Sequence, residues 1–306
     1  MTDAKTIDND GERMVPEFHR PSLMYSEHVN RYLAAVEVVR GKRVLDIASG
    51  SGYGSQLLAG SAASVIGVDV SSDAVAYASS EHGRDNLEFR VGNAEQIPLE
   101  DDSVDVVVTF ETIEHVEDYR QFVAEIDRVL APGGIALIST PNDLEFIEGN
   151  HFHLHEFVYD ELLELVGAHF SFVRPYFQAT WKAVAIGTEA EFSTEGPITA
   201  QITNLAPLDR DRFLYFYLVC ARSPVDAEIP TQLALGAHYS DRQVQQSDLG
   251  MIAAADGLQA QIRTLESERD GLRADLRTVT STRSYRTAHA LGGLAAKLRL
   301  VRSAKS

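Results

Sequence analysis

Three short stretches carry residue types whose spacing could bind a nucleoside-like ligand. The first is Val44-Leu45-Asp46-Ile47-Ala48-Ser49-Gly50-Ser51-Gly52-Tyr53-Gly54-Ser55, an apolar run entering a glycine-rich turn. Glycine lets a backbone approach a ligand closely and take dihedrals that other residues resist. A dinucleotide turn of the form GxGxxG would need a third glycine where Ser55 stands. Asp46 would also repel a pyrophosphate, whereas it suits a ligand that is cationic at that point. Ala48, Ser49, Gly50 and Gly52 would then line the ligand. Asp69, which closes Ile66-Gly67-Val68-Asp69 and precedes Val70, offers two acceptor oxygens to the hydroxyls of a ribose. Gly92-Asn93-Ala94-Glu95 places an amide side chain and a free backbone where an adenine edge could be read.

A fourth stretch, Phe110-Glu111-Thr112-Ile113-Glu114-His115-Val116, follows another apolar run. An alcohol attacking an electrophile must lose its proton, and an imidazole titrating near neutrality is the ordinary general base. His115 is therefore the candidate catalytic residue. Phe110 and Glu111 are placed with the ligand.

These stretches need a scaffold that brings them to one edge. From Arg43 to Pro141, short β-branched runs alternate with helical patterns, the signature of βαβ units around a parallel sheet. Strands are expected at 43–48, 64–70, 87–91, 104–110 and 134–140, and helices at 52–60, 73–82, 119–130 and 158–168. Ala131-Pro132-Gly133-Gly134 reads as a helix stop and turn. Two more strands are expected at 169–178 and 212–222. Segment 18–33 reads as a helix over the ligand, with His28, Arg31 and Tyr32 on or near one face. The stretch 188–209, rich in Thr, Pro, Glu and Asn, reads as a loop.

The chain has 306 residues, 44% of them hydrophobic and 24% charged, enough for one catalytic domain with appendages. The division expected is an N-terminal segment with a lid helix (1–40), the α/β domain (41–222), a linker (223–250) and a tail (251–306). A net charge of −18 argues against nucleic acid as partner. No apolar run reaches the roughly 18 residues of a membrane span. Met1-Thr2-Asp3-Ala4-Lys5 lacks a secretion pattern, so a cytoplasmic location is expected. The lone cysteine, Cys220, reads as a small core residue.

The charge is unevenly spread. Residues 261–306 hold ten Lys/Arg against four Asp/Glu, and no acid follows Arg277. Apolar residues at Met251, Ala255, Leu258, Ile262, Leu265, Leu272, Leu276 and Val279 alternate spacings of four and three, with Arg269 in one core slot. That is a short heptad seam, although a helix packed on its own domain is the alternative. Leu291, Leu294, Leu298 and Val301 line one face of a basic amphipathic segment. Homo-oligomers through the coiled coil, and peripheral contact with the inner face of a membrane or a glycan assembly, are the partners this tail suggests.

Taken in order, the motifs resemble those of class I S-adenosylmethionine-dependent methyltransferases from about Gly11 to Cys220. The finer likeness is to bacterial enzymes of glycan biosynthesis. It rests on Gly11-Glu12-Arg13-Met14-Val15-Pro16-Glu17, the Phe110–Val116 stretch, Ser139-Thr140-Pro141-Asn142 and Asn150-His151-Phe152-His153. The resemblance implies a Rossmann-like, doubly wound seven-stranded sheet of order 3-2-1-4-5-7-6, with the helical or coiled-coil tail appended. It implies S-adenosyl-L-methionine as cofactor, with Asp46 and Gly50 to Gly52 around its methionine part, Asp69 on ribose and Asn93 and Ala94 on adenine. Asn93 stands where an aspartate is more usual. Tyr25, His28, Tyr32, Asn142, His153 and His155 are expected on the acceptor. Small RNA 2′-O-methyltransferases also resemble the fourth stretch, in a Glu-x-x-Glu-His pattern with a later histidine that holds a divalent metal. That likeness implies Glu111, Glu114, His115 and His153 as ligands of Mg2+ or Mn2+, and such a donor set suits a borderline or hard ion. The activity expected is O-methyl transfer to a sugar hydroxyl in a nucleotide sugar, glycolipid or polysaccharide. A quinone-like or other aromatic acceptor is the alternative.

Overall fold

The computed structural model describes residues 13–19, 22–144, 152–180, 186–193, 197–198, 202–204 and 207–234, with Leu265, Arg269, Gly271 and Arg273. Two compact units divide the chain, Met1–Ala237 and His238–Ser306. In the second, the four described residues are helical. The rest of the heptad seam and the basic segment lie outside the described residues.

The first unit runs α1 (Pro16–His19), α2 (Leu23–Ala35), β1 (Arg43–Ile47), α3 (Tyr53–Ala59), β2 (Ser64–Asp69), α4 (Ser72–Glu81), β3 (Leu87–Val91) and β4 (Val104–Phe110). A 3-10 turn at Ile113–His115 follows, then α5 (Tyr119–Val129), β5 (Leu130–Pro141), α6 (Tyr159–Gly167), β6 (Phe172–Gln178), α7 (Glu189–Ser193), a second 3-10 turn at Arg210–Arg212, and β7 (Tyr215–Ala221). Short polar side chains start α4 and α5: Ser71 accepts from the Ala74 N–H at 3.2 Å and Asp118 from the Gln121 N–H at 2.9 Å.

The sheet order is β3-β2-β1-β4-β5-β7-β6, as the resemblance implied. Strands β1 to β5 are parallel, and β7 runs antiparallel to both β5 and β6. Alternate residues serve opposite faces. Leu45 and Ile47 join Phe122, Ile126, Phe157 and Phe216 in one core, while Val44 joins Leu58, Val106, Val108 and Leu137 in the other. Burial on both faces is why these strands read as β-branched runs. The strand order reverses between β1 and β4, and doubly wound sheets bind ligands at the carboxyl ends beside such a point. Cys220 is buried within β7, as a core residue.

Three local details differ from the sequence reading. The helix expected over 18–33 is broken into α1 and α2, because proline at position 21 cannot continue a helix; Ser22 restarts it by accepting from the Tyr25 N–H at 3.2 Å. β5 begins at Leu130, which pairs with Val104, and residues 131–134 form an irregularity before Ile135 pairs with Val106. Gly133 takes the positive φ of 80° that this bulge needs. Within the stretch read as a loop, α7 is nucleated by a capping box in which Thr188 and Glu191 bond each other's backbone N–H.

Candidate active site

The glycine-rich turn leaves β1 through two left-handed residues, Ala48 at φ 62° and Gly50 at φ 55°, and enters α3 through Gly52 at φ 82°. At Gly52 a Cβ would lie 2.7 Å from both Ala78 and Phe89. At Gly50 only the Arg13 side chain comes within 4 Å, at 3.6 Å. The N-terminal segment covers this turn, because Ser51 Oγ donates to the Met14 carbonyl at 3.0 Å and Val15 packs on Ala74 and Tyr77.

Asp46 is wholly buried and accepts from Ser55 Oγ at 2.5 Å and Tyr32 Oη at 3.2 Å. Burial, with a smaller push from the nearby Asp69, lifts its pKa to about 7 against these two bonds. Asp69 accepts the Gly50 N–H on one oxygen and the Ser71 N–H on the other, at 2.8 and 2.9 Å. Each oxygen retains a lone pair, and the acid also ties the turn to β2. Val70, beside it, is 73% exposed, an apolar surface at the sheet's carboxyl edge. Asn93 turns its own oxygen to the Glu95 N–H at 2.8 Å, and Glu95 accepts the Asp118 N–H at 2.8 Å. Asn93 thereby keeps its NH2 and Ala94 its backbone edge for a ligand.

On the other side of the switch point, Glu111 takes φ 54°, a strained value for a non-glycine residue. Its carboxylate accepts from Ser139 Oγ at 2.9 Å and faces Arg31 at 3.4 Å. Glu114 is fully buried: one oxygen accepts from Thr140 Oγ1 at 3.0 Å, and the other has no hydrogen-bond partner among the described residues. Burial, then repulsion by Glu111, raises its pKa well above the usual carboxylate range. Residues 152–155 lace onto the 3-10 turn, since the Leu154 and His155 N–H groups both donate to the Glu114 carbonyl. That lacing brings the His115 and His153 rings to 4.9 Å.

His115 Nδ1 lies 2.9 Å from the Phe152 carbonyl, an acceptor, so Nδ1 carries the hydrogen. Nε2 is then the basic nitrogen, 4.0 Å from the unpartnered Glu114 oxygen. His153 Nδ1 is likewise held by Glu156, at 2.7 Å. Donor atoms of Glu114, His115 and His153 lie within 4.8 Å of one another, and Glu111 is not in this group.

The remaining sequence candidates have other partners. Tyr32 is packed against Tyr53 and Phe110 with its hydroxyl on Asp46, so it supports the acid from below the site. His28 faces Tyr53 Oη at 3.4 Å, and burial, then Arg31, keep it neutral. Asn142 is buried with its amide spent on the Asp211 and Phe213 carbonyls and the Leu144 N–H. His155 pairs with Glu161 at 2.8 Å. Tyr25 is half-buried on α2. Arg31, expected with His28 and Tyr32 on or near one face of the helix over the ligand, is buried beside Glu111 and Tyr215, partners that helical spacing does not reveal.

This sheet order, with a glycine-rich turn after β1 and acids closing β1 and β2, is that of the Rossmann-like methyltransferase fold. Residues 45–138 match the family described as "Methyltransferase domain". A probable S-adenosylmethionine-dependent methyltransferase of Mycolicibacterium smegmatis is 40% identical over 161 residues, 51% of this chain and 62% of that protein. Another, of Mycobacterium tuberculosis, is 38% identical over 51% of this chain and 58% of its own length. A fatty-acid O-methyltransferase of Mycolicibacterium smegmatis is 35% identical over 38% of this chain and 45% of its own length. The matched stretch thus spans less than two thirds of each of these relatives. Among the described residues, no helix is long and apolar enough to cross a membrane.

Proposed function

We propose that the chain transfers a methyl group from S-adenosylmethionine to a hydroxyl of a sugar-bearing acceptor, with His115 as general base. The cofactor fits the residues present. Ser49 has a buried hydroxyl at the turn without a partner among the described residues, Asp46 is a buried acid suited to a cation, and Asp69 has spare lone pairs for a diol. Bound there, the cofactor supplies a methyl group activated by a sulfonium. The protein holds the acceptor oxygen in line and takes its proton.

The observation that carries this reading is the His115 tautomer. With Nδ1 bonded to the Phe152 carbonyl, Nε2 is the free proton acceptor at the carboxyl end of β4. The polar set of Glu111, Glu114, His115 and His153 favours a hydroxylated acceptor over a flat apolar one. The relative named for fatty-acid O-methyl transfer supports an oxygen nucleophile.

A second reading has one observation behind it. The unpartnered oxygen of Glu114, with His115 and His153, makes a three-donor set for a divalent ion, and both imidazoles are oriented by an acceptor on Nδ1, as metal-bound histidines commonly are. The test is a methyl-transfer screen over nucleotide sugars, glycolipids, fatty acids and catechols, run with and without a chelator. A base alone ignores the chelator. A metal site loses activity to it and regains activity with Mg2+ or Mn2+. Methylation of catechols or fatty acids in preference to every sugar would refute the acceptor class.

A further inference from the structure

A cavity of about 210 Å3 lies past the end of β5, lined by none of the acids and histidines described above. Leu144, Val158, Tyr159 and Phe216 give it apolar walls, and Asp160, Arg210 and Asp211 supply its charged groups. Its floor is firmly packed, because the buried Phe216 ring lies 5.6 Å from Tyr159 and 6.3 Å from Phe177. Asn142 also borders the cavity but shapes it rather than offering donors to a ligand. Its amide donates to the Asp211 and Phe213 carbonyls and its oxygen accepts the Leu144 N–H, so it ties one wall to the other.

The cavity adjoins the acceptor side. Thr140, whose hydroxyl bonds Glu114, and Asn142 are two residues apart, which in extended chain puts them on one face about 7 Å apart. Asn142 bridges to Phe157, and the Phe157 ring lies 4.5 Å from that of His155, on the loop that carries His153 to His115.

Which ligand fits follows from what each class would leave unsatisfied. A phosphate or carboxylate would face two acids with one guanidinium to set against them, and that guanidinium is already shared with Asp211 at 3.5 Å. A cation would find the Tyr159 ring taken, since Arg210 lies 4.6 Å from its centre. An alkyl chain would suit the walls but strip water from Asp160, Arg210 and Asp211 without replacing it. A neutral sugar ring answers both halves, its C–H faces on the walls and its hydroxyls donating to the acids and accepting from Arg210. We propose that this cavity is the subsite for one neutral sugar unit of the acceptor. It is smaller than the about 300–1,000 Å3 of sites that enclose a drug-sized ligand, so it takes one ring and leaves the rest of the acceptor outside. The acceptor is thereby narrowed to a glycolipid or polysaccharide over a nucleotide sugar, whose diphosphate would sit beside two acids.

The inference rests on the sugar-bearing acceptor proposed above, and the experiment separates the two. Saturation-transfer NMR on the full chain loaded with S-adenosylhomocysteine uses the methyl glycosides of glucose, mannose, galactose and rhamnose as neutral probes and methyl glucuronide as the charged one. At least one neutral glycoside should bind, and more tightly than the glucuronide. Leu144→Trp, at a side chain 59% exposed, fills the cavity from its rim and should remove the neutral signal. Asp160→Asn combined with Asp211→Asn should weaken neutral binding about tenfold or more, the span of one lost charge-assisted hydrogen bond, and erase the preference over the glucuronide. S-adenosylhomocysteine affinity should stay at the wild-type value in both variants, and with a sugar acceptor that turns over both should raise KM more than they lower kcat. If no neutral glycoside binds, or binding is the same in both variants, the subsite is overturned while sugar methylation by the wild-type chain still upholds the acceptor class. A wild-type chain that methylates only catechols or fatty acids overturns the acceptor class, and the subsite with it.

Discussion

Asp46 is buried against two hydrogen bonds, and its pKa of about 7 makes the ligand-free protein sensitive to pH. The unfolded chain binds that proton only below about 4. Between these values the folded state holds more protons, so the contribution is fully present at low pH and lost as pH rises through about 7. Above that the buried carboxylate is a cost of about 2–4 kcal/mol. Asp46→Asn should therefore raise the thermal stability of the ligand-free protein at pH 8, by more than at pH 5, while weakening S-adenosylhomocysteine binding. A stability difference that does not vary with pH would show that a cation already neutralises Asp46. His115→Ala should lower the methyl-transfer rate by roughly 10²–10⁴ with little change in S-adenosylhomocysteine affinity. A near-normal rate on the true acceptor would leave proximity and orientation as the source of catalysis. The acids and glycines at strand ends were legible in the sequence because type and position coincide there. The partners of Tyr32, Asn142 and Arg31 were not, because each joins segments far apart in the chain: Arg31 meets Gln178 and Asn142 meets Phe213.

The turn between β1 and α3 illustrates how an element can be specified twice. Gly52 needs a left-handed backbone and also an empty Cβ position, whereas Gly41, at φ 67°, has nothing within 4 Å. Both Gly41→Ala and Gly52→Ala meet the left-handed penalty of about 1–2 kcal/mol. Only the second adds overpacking against Ala78 and Phe89, for a total of about 2–4 kcal/mol. Urea unfolding of the two variants should rank them in that order, and equal losses would mean that α4 and β3 yield freely. Asp69→Ala should act at the same place, weakening S-adenosylmethionine binding by about 1–3 kcal/mol and also loosening the turn, since the Gly50 N–H loses its acceptor. Strands were readable because two-sided burial demands β-branched runs. The start of β5 was not, because Ala131-Pro132-Gly133-Gly134 has the composition of a turn while its flanks still pair with β4. At the whole-site level, glycine spacing reported the cofactor side well, and the acceptor side less so because its histidines sit on a loop laced through backbone bonds that no side-chain pattern encodes.

At the scale of the whole molecule the charge is divided, +6 over residues 261–306 and −24 over the rest. An acidic catalytic unit gains nothing from anionic lipid, whereas an acid-free basic end is attracted by about 1 kcal/mol per Lys or Arg near the surface. The seam of Met251 to Val279 supplies the other half of the proposal, self-association, and its described residues Leu265 and Arg269 are helical. Truncation after Ser247 should leave the first unit folded, because all seven strands precede Ala237, the last residue of that unit. Methyl transfer to a soluble acceptor should then persist at the full-length rate, while sedimentation mass and vesicle binding fall. Binding of the full-length chain to anionic vesicles should weaken steeply with salt, and neutral vesicles should not bind it. A full-length chain that sediments as a monomer counts against the seam as a dimer contact. One that ignores anionic vesicles at low salt counts against the basic end as an anchor, so the two halves of the tail are tested separately.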